Sequence, residues 1–249
     1  MNIQITPNPH ELGKTAGLAA AQLIRGAIDA SGAANIILAT GTSQFEILNQ
    51  LIIEKDIDWG KVVMFHLDEY IDLPITSPAS FRRYLQERFL SRIPAIKAAY
   101  LINGETDVEA ECDRLGNLIT NYPIDVALVG IGENAHLAFN DPPADFETEQ
   151  PYIIVGLDEA CRKQQLGEGW FKSIEDVPHQ AISMSVKQIL KSRHIICSVT
   201  GARKAMAVKN SFEQPVSNLY PASILQLHPN CTCYLDKSSA ALISANIFS

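Results

Sequence analysis

Hydrophobic positions follow two alternating periods along the chain, and this alternation predicts β-strands separated by helices. Short apolar runs, such as residues 36–39 and 62–67, are typical of strands buried on both faces of a sheet. Between these runs, apolar residues recur at helical spacing, as Ile24 and Ile28 do in the first long segment. The pattern therefore predicts an α/β fold with a Rossmann-like, open, mainly parallel sheet and helices on both faces.

Capping residues help to place the predicted elements. Asn8 is a suitable N-cap, Pro9 is tolerated in a first turn, and Gly32 can end the first helix. Ser77 and Thr106 are the expected caps of the third and fourth helices. The predicted helices are 8–31, 44–54, 78–91, 107–121, one that starts near 201, and 237–246, with a single turn at 223–227. The predicted strands are 36–39, 62–67, 99–102, 126–129, 194–199 and 232–235.

The stretch 140–180 is the least regular part of the sequence. It is rich in Pro, Gly and charged residues, which predicts loops and a short helix around a site. The sequence contains no linker, repeat or low-complexity segment, so residues 1–249 are expected to form a single domain.

Composition narrows the classes of function. The formal net charge of -8 argues against a nucleic-acid-binding protein, although it allows a local site for a small anion. No apolar run approaches the length of a membrane span, and the first residues do not form a signal peptide. The five cysteines are odd in number and mostly scattered, which favours reduced thiols and a cytoplasmic location. Cys231 and Cys233 are expected to pack in the core rather than bind a metal.

Four polar segments follow predicted strands, and ligands of open parallel sheets bind at the carboxyl ends of the strands. The first segment contains Thr40, Gly41, Thr42 and Ser43, between a buried strand and a helix. Backbone N–H groups, hydroxyls and a helix N-terminus together suit a phosphate group. Taken alone, the same residues also fit an ordinary turn in which a hydroxyl caps the helix.

The second segment begins with two adjacent carboxylates, Asp68 and Glu69, directly after a strand. Burial of neighbouring carboxylates raises a pKa, which suits a general base. The alternative is a solvated acidic turn.

The third segment is glycine-rich and contains Asn134, His136 and Asp141. A histidine next to an acid forms the usual acid–base pair at neutral pH, whereas a lone histidine more often packs or caps. No set of metal ligands at suitable spacing accompanies it.

The fourth segment places Lys204 in the first turns of a helix that follows a strand. Its ammonium could supply a point charge for a phosphate. The alternative is an ordinary lysine on the surface of the helix.

Together the four segments resemble the glucosamine-6-phosphate deaminase family over nearly the whole chain. The motifs that carry the resemblance occur in the family's order: ATGTSQ, FHLDEYIDLP followed by SFRRYL, GIGENAHLAFNDPP, and GARKAMAV. The related 6-phosphogluconolactonases usually carry D-E-R instead of Asp68-Glu69-Tyr70 and lack the A-F-N-[ED]-P run. Lactone hydrolysis is therefore the second enzyme hypothesis, and a catalytically silent sugar-phosphate sensor is the third.

The resemblance implies a role for each matching residue. Asp68 would move a proton from C2 to C1 of the open-chain sugar, and His136 would assist ring opening. The remaining implied site residues are Asn134 and Asp141, which orient His136, and Thr40, Gly41, Thr42, Ser43, Glu69 and Lys204, which bind the substrate. The reaction implied is deamination of an amino-sugar phosphate without a metal or organic cofactor. The sequence implies no nucleic-acid or membrane partner and leaves a homo-oligomer open.

Several positions depart from the family pattern. Ala135 replaces a glycine, and Asp141 replaces the usual glutamate. Gln165 stands in the register of the family's phosphate-binding arginine, so Arg162, one helical turn earlier, is the expected substitute. The loop after Pro143 lacks the residues of a regulatory phosphate site, and none is expected.

Overall fold

The computed structural model describes residues 1–244. Ten strands are present in this range: β1 (Asn2–Thr6), β2 (Ala34–Leu38), β3 (Val62–His66), β4 (Asp68–Tyr70), β5 (Ala98–Tyr100), β6 (Val126–Val129), β7 (Tyr152–Gly156), β8 (Gln180–Met184), β9 (His194–Val199) and β10 (Cys231–Asp236). The α-helices are α1 (Pro9–Ser31), α2 (Phe45–Ile53), α3 (Phe81–Arg88), α4 (Val108–Ile119), α5 (Glu159–Gly167), α6 (Val186–Leu190) and α7 (Ala205–Glu213). Short 3₁₀ turns precede α2 and α7.

Seven of the strands form one parallel sheet in the order β1-β10-β9-β6-β2-β3-β5. The other three form a small antiparallel sheet in the order β4-β8-β7. The predicted fold class, an open and mainly parallel α/β sheet, is therefore confirmed.

The hydrophobic core lies on both faces of the seven-stranded sheet. Along β2, Ile36 and Leu38 pack into one cluster while Ile37 packs into the other, because successive side chains of a strand point to opposite faces. One layer is completed by α1 and α2, and the other by α4, α6 and α7. Each fully buried aliphatic side chain stabilises the fold by roughly 2 kcal/mol relative to exposure.

The first helix agrees with its prediction at both ends. The Asn8 side chain accepts a hydrogen bond from the backbone N–H of Glu11 at 2.9 Å, which satisfies a free donor of the first turn. Gly32 ends the helix with φ of 78°, a left-handed conformation that favours glycine.

Three predicted boundaries were wrong. The cap of α3 is Ser80 rather than Ser77, so the helix begins at Phe81, and the cap of α4 is Asp107 rather than Thr106. A hydroxyl or carboxylate lies within a few residues of each helix start, and only the backbone direction decides which one meets the free N–H groups. Residues 237–242 form turns and 243–244 have no regular structure, in place of the predicted last helix, and 245–246 lie outside the described residues.

The irregular stretch 140–180 contains more structure than its composition predicts. It includes α5 as well as β7, and β8 begins at its end. The edge strand β1 was also missed. The exposed pattern of β1 and the short length of β4 give little periodic signal, and pairing with distant strands is what orders them.

Two further features concern the whole described range. None of the helices in residues 1–244 combines the length and the apolar character that crossing a membrane requires. All five cysteines are free thiols, and Cys231 and Cys233 pack in the core as expected.

The strand order determines where a ligand can bind. From β2 the chain runs outward through β3 to β5 and then returns to β6 on the other side of β2. Such a reversal opens a crevice at the carboxyl ends of the two central strands. The four polar segments all emerge beside this crevice.

Candidate active site

One cleft at the carboxyl edge of the sheet collects residues from all four segments. These segments follow β2, β3, β6 and β9. The carboxyl end of α5 lines the cleft as well. The predicted site residues that line the cleft are Thr40, Gly41, Thr42, Ser43, Asp68, His136 and Lys204. Sequence positions more than 160 residues apart thus meet because parallel strands end at the same edge of the sheet.

Two similar strand-to-helix turns form what we call the anion cradle, residues 40–44 and 200–204. Gly41 has φ of 98° and Gly201 has φ of 90°, and each precedes a 3₁₀ turn that leads into α2 or α7. Ser43 Oγ and Thr200 Oγ1 are hydrogen-bonded at 3.2 Å and link the two turns. The turn that leads into α2 and the side chain of Lys204 line the same cleft, an arrangement that favours an anion.

Lys204 supplies the cation of the cradle. Its side chain is buried, and no carboxylate of residues 1–244 lies within 4.0 Å of its ammonium group. Burial lowers the pKa of Lys204 below its usual value, and the negative charges of Glu168 and Glu133 oppose this shift only in part. An incoming phosphate would supply the missing counter-charge.

Asp68 lies at the start of β4, directly after the central strand β3. Asp68 lies opposite Ser183 of the antiparallel strand β8, and only 8% of the surface of Asp68 is exposed. Burial, reinforced by the charge of Glu69, raises the pKa of Asp68 to about 8. A carboxyl with a pKa near neutrality can both take up and return a proton, which suits a general base.

His136 and Asp141 form a buried acid–base pair across the cleft. His136 Nδ1 lies 3.1 Å from Asp141 Oδ1, which leaves the other ring nitrogen for a ligand. The ring lies against the backbone of Gly132, where any side chain would overlap the imidazole. A glycine is therefore required at position 132, because a side chain there would occupy the space of the His136 ring.

Asp141 is held by several donors at once. Asn134 Nδ2 donates to its Oδ1 at 2.9 Å, and the backbone N–H of Asp158 donates to its Oδ2 at 3.0 Å. Burial alone would raise the pKa of Asp141, but the bond with His136 and these two donors outweigh it, so the pKa lies below its ordinary value. Asn134, Asp141 and His136 thus form one hydrogen-bonded group, and the orienting roles of the first two stay predictions.

Ala135, which stands where the family has a glycine, lies directly before His136. Ala135 adopts φ of 68°, the left-handed region that glycine favours, and its N–H donates to the carbonyl of Gly132 at 3.1 Å. Its carbonyl accepts from the N–H of Ala222 at 2.9 Å. These bonds hold a strained backbone directly before His136.

Glu69 does not face the cleft, which corrects its placement among the substrate-binding residues. It is completely buried, and its carboxylate accepts hydrogen bonds from Ser80 Oγ at 2.8 Å and from the backbone N–H of Arg82 at 2.9 Å. The Arg82 guanidinium also lies 3.3 Å away. Glu69 therefore anchors the start of α3, and its influence on the site is the charge it places beside Asp68.

Arg162 is likewise directed away from the cleft, which corrects its role as a phosphate ligand. Its guanidinium donates to the carbonyls of Ile174 and Val177, the latter at 3.0 Å, and so ties α5 to the following loop. Gln165, one turn later on α5, does line the cleft. Its Oε1 accepts from the Tyr70 hydroxyl at 2.7 Å.

Three further residues contribute to the site without a clear signal in the sequence. Gln164 and Glu168 of the α5 segment line the cleft, and Gln164 Oε1 accepts from the N–H of Glu133 at 2.7 Å. Asp158 caps α5 and also accepts from Asn134 at 3.2 Å. Asp158 could have been identified from the sequence as the N-cap of a helix. No pattern in the neighbouring sequence indicates that Glu168 reaches the cleft.

His136, Asp141 and Cys161 bring one possible metal-ligand atom each to within 4.8 Å of one another. In the described structure the histidine and the aspartate already bond to each other. Burial keeps the pKa of the Cys161 thiol far above its usual range, so the sulfur stays protonated. Within the described residues, the trio thus consists of one hydrogen-bonded pair and one protonated thiol.

Known proteins resemble this chain over almost its full length. A family described as glucosamine-6-phosphate isomerases/6-phosphogluconolactonase matches residues 7–233. A protein of Lactobacillus delbrueckii subsp. bulgaricus named glucosamine-6-phosphate deaminase is 36% identical over 244 residues, 98% of this chain and 100% of the relative. One of the same name from Streptococcus pneumoniae is 36% identical over 86% of this chain and 90% of its own.

Solved structures extend the likeness to three dimensions. A monomeric glucosamine-6-phosphate deaminase superposes with a TM-score of 0.88 at 31% identity, covering 98% of this chain and 100% of that one. A 6-phosphogluconolactonase from Shewanella baltica superposes with a TM-score of 0.76 at 20% identity, covering 95% and 97%. The second likeness concerns the fold alone.

Proposed function

The chain belongs to the family of glucosamine-6-phosphate isomerases and 6-phosphogluconolactonases, and we propose that it is a glucosamine-6-phosphate deaminase. It converts glucosamine 6-phosphate and water to fructose 6-phosphate and ammonia. The observation that carries this proposal is one cleft with a general base, Asp68, an acid–base pair, His136 and Asp141, and an anion cradle with Lys204. The relatives that share the name support the choice of substrate.

The substrate is anchored by its phosphate. The N–H groups and hydroxyls of residues 40–43 surround the phosphate oxygens, and Lys204 balances part of the charge. This anchoring directs the sugar ring toward Asp68 and His136. The orientational entropy of the substrate is therefore lost on binding and not in the chemical step.

Ring opening uses His136. The imidazole exchanges a proton at the ring oxygen, while Asp141 and, through it, Asn134 hold the ring in place. The result is the open-chain aldehyde with its carbonyl at C1.

Asp68 then carries out the isomerisation. Its carboxylate takes the proton from C2 and returns it to C1, while the C1 oxygen gains the proton that the amino group loses. The aldehyde thereby becomes a hydroxymethyl group, and the carbon–nitrogen unit at C2 becomes an imine. Water adds at C2 and ammonia leaves, which yields the ketone of fructose 6-phosphate. Each of these steps is a proton transfer or a hydrolysis, and the side chains named supply the acid and base.

The direct test is to mix purified protein with glucosamine 6-phosphate and to measure ammonium and fructose 6-phosphate, which should appear in equal amounts. The Asp68→Asn variant serves as the control for contaminating activity. The same protein is assayed for hydrolysis of 6-phosphogluconolactone. Faster lactone hydrolysis than deamination would contradict the proposal, and binding of the sugar phosphate without turnover would identify a sensor instead.

The setting of the reaction is also part of the proposal. We infer that the chain works in the cytoplasm as a single domain, and its free cysteines support the location. A homo-oligomer stays a prediction, and light scattering of the purified protein is the measurement that decides it.

A further inference from the structure

Glu168 places a carboxylate inside the anion cradle. It stands at the carboxyl end of α5, lines the cleft together with Lys204, and its Oε2 comes within 3.8 Å of where a Cβ on Gly41 would be. Its Oε1 accepts from Gln164 Nε2 at 3.1 Å, which orients the carboxylate. Neither the fold nor the proposed chemistry requires a negative charge at a site for a phosphate.

We propose that Glu168 acts as a built-in competitor of the substrate's phosphate group, occupying the cradle in the free protein and weakening the binding of phosphate-bearing ligands. This inference rests on the proposed function, because it concerns the same cleft. It assigns to Glu168 the role of setting the affinity for phosphorylated sugars, a role distinct from the chemistry at Asp68 and His136.

The charges around the cradle support this role. Lys204 is its buried cation, and Glu168 contributes the strongest of the charges that oppose the lowering of the Lys204 pKa by burial. No lysine or arginine of the described chain lies within 4.0 Å of the Glu168 carboxylate, and Lys204 lines the same cleft as Glu168. A carboxylate that partly balances Lys204 reduces the attraction available to a phosphate.

A phosphate dianion and the Glu168 carboxylate would repel each other across a cleft that is only partly solvated. At separations of several ångströms, such a repulsion is large enough to change affinity about tenfold. Removal of the charge should therefore tighten the binding of any ligand with a phosphate and leave an uncharged sugar unaffected.

The neighbouring bonds indicate that the carboxylate can leave the cradle. Glu168 is held there by one amide donor, Gln164, and it is followed by Gly169 with φ of 84° and open space around it. The cradle itself is anchored independently, since the Tyr84 hydroxyl donates to the carbonyl of Gly41 at 3.2 Å. Displacement of Glu168 by a phosphate thus requires little change elsewhere.

The experiment compares the wild type with Glu168→Gln and Glu168→Ala by isothermal titration calorimetry. The ligands are inorganic phosphate, fructose 6-phosphate and, as the uncharged reference, fructose. The matched control is Glu159→Gln, which removes an exposed carboxylate from the first turn of the same helix. Circular dichroism and thermal unfolding verify that each variant is folded.

We expect both Glu168 variants to bind inorganic phosphate and fructose 6-phosphate about tenfold more tightly than the wild type. Fructose binding and the Glu159→Gln control should stay within about twofold of the wild type, because a distant exposed charge is screened by salt. Unchanged or weaker phosphate binding in both folded Glu168 variants would overturn the inference.

Failure here is distinguishable from failure of the proposed function. Phosphate binding is measured without turnover, so tighter binding in a protein that releases no ammonium would support Glu168 as the competitor and contradict the deaminase. Ammonium release with no change of phosphate affinity in the variants would do the reverse.

Discussion

Two aspartates at the carboxyl edge of the same sheet have opposite electrostatic properties. Asp68 follows β3, and burial together with the charge of Glu69 raises its pKa to about 8. Asp141 follows β6, and its bonds with His136, Asn134 and the Asp158 backbone hold its pKa below the ordinary value. The two side chains are chemically identical, so the difference arises from what surrounds them.

One region of the protein thus holds two carboxyl groups whose pKa values are shifted in opposite directions. A carboxyl that faces a like charge and few donors keeps its proton near neutrality and is available for proton transfer. A carboxylate that accepts several hydrogen bonds stays charged and serves to orient its neighbour. Its surroundings thus let Asp68 exchange a proton near neutral pH, whereas those of Asp141 keep it charged beside His136.

The largest expected effect comes from removing the carboxyl of Asp68. We expect Asp68→Asn to lower kcat by about 10²- to 10⁴-fold, the range for loss of a positioned general base, while fructose 6-phosphate binding persists. Steady-state kinetics and calorimetry measure the two quantities. A variant that retains more than about a tenth of the wild-type kcat would show that the base lies elsewhere.

The same comparison predicts how the wild type responds to pH. Asp68 acts as a base only when it is deprotonated, so a pKa raised to about 8 makes kcat/KM rise with pH up to that value. A profile of kcat/KM that is flat between about pH 6 and about pH 9, a range that includes that pKa, would contradict this assignment.

A smaller loss is expected from the positioning partner. Asp141→Asn removes the charge that orients His136 and should lower kcat by about 10- to 100-fold. Asp141→Glu keeps a carboxylate within reach and is the matched control, expected to retain most of the activity. Equal losses in the two variants would mean that packing at this position matters and charge does not.

The smallest expected effects are on the free energy of unfolding, which Asp68→Asn and Asp141→Asn should change in opposite directions. The raised pKa of Asp68 means that its ionisation costs folding free energy as pH rises from about 4 to about 8. Asp68→Asn should thus stabilise the fold, and more strongly at pH 8 than at pH 5. The lowered pKa of Asp141 contributes stability that is present above its ordinary value and is lost at lower pH, so Asp141→Asn should destabilise the fold by roughly 2 kcal/mol at both pH values.

Urea unfolding of both variants at pH 5 and pH 8 measures these differences. Asp113→Asn, an exposed aspartate on α4, is the control and should change the unfolding free energy little at either pH. If Asp68→Asn and Asp141→Asn shift stability in the same direction at pH 8, the contrast between the two regions fails.

Several features of the site could be predicted because they depend on neighbouring residues in the chain. Polar residues that follow an apolar strand must emerge at the strand's end, which located Asp68, His136 and Lys204 correctly at one edge. The left-handed turn before His136 is likewise local, although its tolerance of Ala135 depends on bonds to Gly132 and Ala222.

The alternation of strands and helices, the fold class and the order of the four polar segments were determined by the sequence itself, since apolar periodicity and turn chemistry act within a few residues. The tertiary structure decided which neighbouring side chains serve the site. It turned Glu69 toward Ser80 and Arg82, turned Arg162 toward the loop after α5, and brought Glu168 into the anion cradle. The physical reason is that the direction and the pKa of a side chain depend on partners supplied by segments far away in the chain, which no local pattern records.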